Sequence, residues 1–428
     1  MLKKSLWAAF ALLASTGGAF AASDLAVKGE YLARAGDCVA CHSVPNRAPF
    51  SGGLKMGTPL GNIYSTNITP DKETGIGSYS LSDFEKAVRR GIAKDGRHLY
   101  PAMPYPSYAK ISDADIAALY AYFMEEVKPA KQENEASEIP FPWNMRWPLA
   151  IWNTLFVSDK PFTPAADQDS TWNRGAYLVQ GLGHCGACHT PRGIAFQEKA
   201  LDESDSNFVS GATLDGWTAL SLRGDQNAGL GRWTEEDITT YLKEGRNQHA
   251  SVIGSMLDAY NNSTQFLTDD DRIAIARYLK SLPAASENET VYAYDKSTAE
   301  AFARGDLKSA GASIYLAQCA GCHGRDGKAQ NANVPPLAGN PGLLGNDASS
   351  IINVVLNGTG RAVSHEVPSA LYMRPYRLMM NDQDIAEVVN FVRNSWGNKA
   401  SSITAKEVSD LRASTNMSSD RVVILKMR

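Results

Sequence analysis

Three short stretches carry the chemistry of this chain: Cys38-Val39-Ala40-Cys41-His42, Cys185-Gly186-Ala187-Cys188-His189 and Cys319-Ala320-Gly321-Cys322-His323. All six cysteines of the 428-residue sequence fall in these motifs. Three chemistries compete for such a pattern. A disulfide between cysteines three apart closes so small a loop that it removes little chain entropy. A structural zinc site needs four ligands, and each motif offers three at a spacing unlike common zinc fingers. Covalent haem explains the pattern best, because two thiols add to the two porphyrin vinyl groups and the adjacent histidine becomes the proximal iron ligand. On this reading Cys38, Cys41, Cys185, Cys188, Cys319 and Cys322 hold three haem c groups, and His42, His189 and His323 bind their irons.

The second axial position separates an electron carrier from a catalyst. A haem ligated by protein on both faces passes electrons, whereas an open face binds peroxide, nitrite or oxygen. Met103, Met256 and Met373 lie 61, 67 and 50 residues after their histidines, each shortly before its unit's last helix. The chain has only eleven methionines, so one at a matched place in every repeat points to ligation rather than gap-filling in a core. Met379 and Met380 stand close to the third. His98, His249 and His365 precede the methionines and offer the alternative of bis-histidine haems with lower potentials. With three filled haems the chain is a wire; with one open iron it is a peroxidase-like enzyme.

These side chains need repeated elements to position them. The motifs recur at spacings of 147 and 134 residues, and similarity extends well beyond them. Before each stands a short helical stretch that opens on glycine, at Gly29, Gly175 and Gly311. Later come Ser112, Thr268 and Asn381, each followed by acids, as a helix N-cap requires. Tyr122, Tyr278 and Phe391 each fall ten residues after their cap, so the last helix is expected to pack on the first. A middle helix is predicted at 81–90, 234–246 and 349–356. The first two units precede it with Gly75-Ile76-Gly77-Ser78-Tyr79 and Gly229-Leu230-Gly231-Arg232-Trp233, where the third has Pro335-Pro336-Leu337. The predicted fold is all-α: three tandem cytochrome c-type domains, each a few short helices around one haem that itself forms much of the core.

The boundaries follow from composition. Lys3 and Lys4, an apolar run and Ala19-Phe20-Ala21 read as a signal peptide over 1–21, too short in its apolar part to span a bilayer. Domains are expected at 22–128, 165–284 and 305–398, with an aromatic and proline-rich linker at 129–164, a second linker at 285–304 and a tail at 399–428. The segment 141–152 holds three of the eight tryptophans and reads either as inter-domain packing or as a docking patch. A formal charge of −4 leaves no basic footprint for nucleic acid.

Beyond these patterns the chain resembles the three-haem cytochrome c subunits of bacterial membrane-bound alcohol and sugar dehydrogenases. The likeness rests on Tyr31-Leu32-Ala33-Arg34-Ala35-Gly36-Asp37-Cys38, on Tyr64-Ser65-Thr66-Asn67-Ile68-Thr69-Pro70-Asp71, on 100–105 and 184–193, and on Asn394-Ser395-Trp396-Gly397-Asn398-Lys399. The resemblance implies His/Met ligation, mapping onto His42/Met103, His189/Met256 and His323/Met373. One departure is Met373-Arg374-Pro375, where the family often has Met-Pro. It also implies a non-catalytic role: electrons arrive from a FAD- or PQQ-dependent dehydrogenase subunit, accompanied by a small accessory subunit, and leave to ubiquinone. The site is the periplasmic side of the inner membrane, with peripheral attachment. The short tail resembles more the cytochrome subunits of FAD-dependent gluconate 2-dehydrogenases than those of PQQ alcohol dehydrogenases. A terminal-oxidase cytochrome subunit is a weaker match, because it normally brings a membrane span.

Overall fold

The computed structural model describes residues 22–214, 216–286, 290–306, 309–418 and 425–427. Within them one helix crossing occurs three times. Helices Asp24–Ala35, Ser170–Tyr177 and Ala310–Gln318 open the units and lie across closing helices Asp113–Glu125, Asp269–Ser281 and Asp382–Arg393. At each crossing stands a glycine. A Cβ on Gly29, Gly175 or Gly311 would overlap the carbonyl oxygen of Ala118, Ala274 or Glu387, and would press on the Cβ of Tyr122, Tyr278 or Phe391. Only glycine lets two helix backbones meet this closely. The recurring glycine and the recurring aromatic are therefore two halves of one contact.

The closing helices start where the caps predict. Ser112, Thr268 and Asn381 accept the backbone N–H of Asp115, Asp271 and Asp384. The middle helices are Leu81–Arg90, Glu235–Glu244 and Ser349–Asn357. Capping boxes of Ser80 with Asp83 and Thr234 with Asp237 start the first two, and left-handed Gly91 and Gly245 end them. The third starts at Ala348 without a side-chain cap.

The helices match the expected class, but the chain is helix-rich rather than purely helical. Each unit carries a two-stranded antiparallel hairpin: Lys55–Thr58 with Gly61–Tyr64, Ala212–Leu214 with Trp217–Ala219, and Val363–Ser364 with Val367–Pro368. Strands of two to four residues are too short to show a period of two in sequence. A further helix, Ala405–Ser414, starts on a capping box of Thr404 with Glu407 inside the predicted tail.

The first two units share one core. Leu32, Phe50, Tyr122 and Phe123 of the first unit and Leu178, Leu182, Tyr278 and Leu279 of the second belong to a single apolar cluster. Polar ties cross the same boundary: Tyr177 donates to Asp115 at 2.6 Å and Lys110 to Gln180 at 2.8 Å. The third unit has its own clusters, around Leu356 and Val389 and around Tyr315 and Trp396. It meets the second unit through polar contacts, among them Gln265 to the Val363 carbonyl at 2.7 Å, and through Ala362, which packs on the Val252, Leu257 and Tyr260 cluster. Near the C-terminus, Met427 returns to the first unit, where its carbonyl accepts from Tyr122 at 2.8 Å.

The stretch 129–140, read as linker, lies along the first hairpin, with Glu138 N–H donating to the Asn62 carbonyl at 2.8 Å. The predicted signal peptide lies outside the described residues. No helix among the described residues is long and apolar enough to cross a membrane.

Candidate haem-binding sites

Each Cys-x-x-Cys-His stretch forms one short helical turn after its opening helix, at Cys38–His42, Gly186–His189 and Ala320–His323. None of the six cysteines is paired with another. Burial, reinforced by the charge of Asp37, pushes the Cys38 and Cys41 thiols up to about 12. Burial pushes Cys185 to about 12 and Cys319 to about 11.

The three histidines share a device that the sequence did not reveal. His42 Nδ1 lies 2.7 Å from the Thr66 carbonyl, His189 Nδ1 2.7 Å from that of Leu220, and His323 Nδ1 3.2 Å from that of Pro335. A carbonyl only accepts, so Nδ1 carries the proton and Nε2 keeps its lone pair for a metal. Burial lowers the pKa of all three rings and holds them neutral. In the first two units the acceptor lies one or two residues after the hairpin. In the third it comes from the Pro335-Pro336 stretch that stood out in sequence.

The methionines are placed less uniformly. Met103 lines one cavity with Cys38, Cys41 and His42, and Met373 lines another with Cys319 and His323. Met256 opens helix Ser255–Asn262 and packs with Val252, Leu257, Tyr260 and Ala362. Its pairing with His189 rests on repeat equivalence rather than on a shared cavity. The three rival histidines have other partners. His98 faces the Asn153 amide at 3.4 Å. His249 stacks on Trp233 with centroids 5.2 Å apart and lies 3.4 Å from Asp237. His365 sits exposed at the turn of the third hairpin, its N–H donating to Gln265.

The first cavity measures about 920 Å³ and continues into the second unit, reaching His184 and Cys188. The cavity at Met373 measures about 120 Å³ and is walled by Leu343, Ile351, Val355 and Val389. The donor set fits haem c: each motif offers a free imidazole nitrogen and two thiols on one turn, and in the first and third units a thioether sulfur stands in the same cavity wall, among apolar side chains. Four groups between the sites had no role assigned from sequence. Tyr108 packs edge-on against His184 at 5.5 Å, between the first two motifs. Asp37 is half-buried in a left-handed conformation, with one buried oxygen unpartnered. Burial pushes the Glu198 carboxyl up to about 7, and it lies beneath Gly186 of the second motif.

Residues 309–396 match the cytochrome c family, which makes this protein a c-type cytochrome that carries covalent haem c. The chain is 55% identical over 398 residues to the gluconate 2-dehydrogenase cytochrome c subunit of Pantoea cypripedii, covering 91% of this chain and 90% of the relative. It is 51% identical over 413 residues to the cytochrome c subunit of the quinone-type alcohol dehydrogenase of Gluconacetobacter polyoxogenes, covering 95% and 88%. The fructose dehydrogenase cytochrome subunit of Gluconobacter japonicus is 38% identical over 405 residues, covering 90% and 82%. The chain belongs to the family of cytochrome c subunits of dehydrogenase complexes, and it is an electron-transfer subunit with a dehydrogenase partner.

Proposed function

We propose that the chain carries three covalent haem c groups in three tandem cytochrome c-type domains, at 22–128, 165–284 and 305–398. Cys38 and Cys41, Cys185 and Cys188, and Cys319 and Cys322 attach them. His42/Met103, His189/Met256 and His323/Met373 ligate the irons. The observation that carries this reading is the threefold bond from histidine Nδ1 to a backbone carbonyl, which fixes each ring with Nε2 free.

The bound groups supply reversible one-electron iron chemistry. The chain's residues set its terms. Thr66, Leu220 and Pro335 orient the imidazoles through their carbonyls. Ile68, Ile76, Phe84, Leu119 and Phe123 line the first cavity and keep water from it. The cavity that spans Cys41 and Cys188 supports direct transfer between the first two sites.

Electrons enter from a dehydrogenase subunit and leave to ubiquinone, at the periplasmic side of the inner membrane after export by the signal peptide. The 55% identity to the gluconate relative favours a FAD-dependent sugar-acid dehydrogenase with its small accessory subunit. A PQQ alcohol dehydrogenase is the second reading, favoured by 51% identity over 413 residues. Purification of the complex from native membranes tests the assignment. A flavoprotein that co-purifies and reduces ubiquinone only with this subunit present is expected. A quinoprotein partner would move the subclass, and isolation without any dehydrogenase would overturn the role.

A further inference from the structure

A soluble helix turns its apolar side inward. Helix Pro148–Phe156 does the reverse. Its polar Asn153 faces the protein, donating to the Arg90 carbonyl at 2.7 Å and accepting from Tyr105 at 2.9 Å. Trp152 is fixed by its indole N–H on the Ala195 carbonyl at 2.9 Å. Ile151 and Leu155 point out, 57% and 68% exposed, and no residue of the helix is buried. The preceding loop adds exposed Phe141, Trp143 and Trp147. A second, distant element extends this face: the turn that meets Trp152 through Ala195 presents Ile194 and Phe196, and Ile194 is fully exposed.

Charge separates the possible occupants. From Ile139 to Ser158 the sequence has no acid, and its one charge is Arg146. Arg146 lies 3.5 Å over the Tyr100 ring and donates to the His98 carbonyl, and no carboxylate among the described residues is recorded against it. Arg97 lies near it but is paired with Asp95 at 3.6 Å. A chain of net charge −4 thus offers an acid-free, tryptophan-rich apolar face with one cation at its edge. Protein interfaces surround an apolar centre with a hydrogen-bonding polar rim. Bilayer interfaces instead take tryptophan rings at headgroup level, apolar side chains beneath and cations against anionic lipid. Nine helical residues are too few to span a bilayer, so this helix lies in the interface.

We propose that Phe141, Trp143, Trp147, Ile151, Leu155 and Ile194 form the surface by which this subunit docks on an anionic phospholipid membrane. The inference deepens the peripheral attachment proposed above and rests on it. Trp152, Leu155 and Arg146 also line the first cavity, so the docked face adjoins the site of His42 and Met103.

Flotation of the haem-loaded full chain with phosphatidylcholine vesicles, with and without phosphatidylglycerol, is the test. The wild type is expected to float, more tightly with phosphatidylglycerol. Ile194→Asp touches only an exposed turn tip and should weaken binding about tenfold, from one lost apolar side chain plus repulsion. The variant Trp143→Ser/Trp147→Ser/Ile151→Ser, whose residues lie outside the first cavity's lining, should abolish flotation with an unchanged haem spectrum, and Leu378→Ser, exposed elsewhere, should float as wild type. If the triple variant loses its haem spectrum, Ile194→Asp alone decides. Wild type that stays off vesicles overturns both this surface and attachment through this chain. Variants that float normally overturn the surface alone. Variants that keep vesicles but release the dehydrogenase make the patch a subunit interface and overturn the proposal.

Discussion

The first two units and the third present the same histidine, cysteines and methionine from different surroundings. Units one and two share a continuous apolar core and a cavity of about 920 Å³ that reaches both motifs. Unit three packs its own clusters around a cavity of about 120 Å³, which Ser251 and Ile253 of the second unit also line. Its imidazole bond is longer, 3.2 Å against 2.7 Å, and its carbonyl comes from a proline stretch instead of a hairpin exit. The local charge differs too, since Arg374 acts on the Cys319 thiol, whereas Asp37 and Asp258 act on Cys41. The chemistry fixes the donor set, while the scaffold behind it is free to vary and so to tune each site.

Removing a sulfur tests whether both kinds of unit belong to one path. Met103→Ala and Met373→Ala should each let carbon monoxide bind one haem without denaturant and cut quinone reduction at least about tenfold, with attachment intact. Met256→Ala should do the same at the second haem. Unchanged turnover in Met373→Ala would remove the third unit from the path.

Cooperativity is the next way to break the comparison. Gly29→Ala forces a Cβ onto the Ala118 carbonyl and should cost about 3 kcal/mol. Because the core is shared, second-unit signals should melt with the first. Gly311→Ala should lower only the transition of the third unit. Calorimetry with site-resolved haem spectra checks this, and a single transition shifted by both variants would deny the third unit its independence.

The pH dependence should also be lopsided. Glu198 is held protonated by burial up to about 7, against an ordinary value near 4.3. The folded state therefore binds the extra proton between those values. Its contribution is present at low pH and is lost as pH rises through about 7, up to about 3 kcal/mol in all. Glu198→Gln should flatten that part of the urea-stability profile of the first two units and leave the third untouched. The second haem's potential should fall over the same window, since an ionised carboxylate beside the motif favours ferric iron.

The smallest expected effect is at Arg374. A cation near the third attachment and a longer imidazole bond both favour reduced iron, so the third haem should have a higher potential than the first two. Arg374→Gln should lower it by on the order of tens of millivolts, screened because the side chain is exposed. Redox titration checks the order.

Much of this was legible before folding. The motif spacing marks the proposed attachment residues, and the caps at Ser112, Thr268 and Asn381 mark the closing helices, because both signals are local. Gly29, Gly175 and Gly311 were visible as a pattern, but their reason was not, since it lies in a backbone over 70 residues away. The hairpins were too short to show periodicity. The carbonyl partners Thr66, Leu220 and Pro335 carry no side-chain signature at all. The fused core of units one and two was hidden because alternate apolar residues do not say which neighbour they face. The histidines near each methionine looked equivalent in sequence, yet Trp233 and Asp237 engage His249 while His365 stays exposed.

Iron analysis combined with magnetic circular dichroism of the purified, oxidised subunit tests the central claim most directly. The account predicts three irons per chain, every one low-spin and each with the charge-transfer signature of a methionine sulfur. Fewer irons, a high-spin signal, or a bis-histidine signature at any site would contradict it.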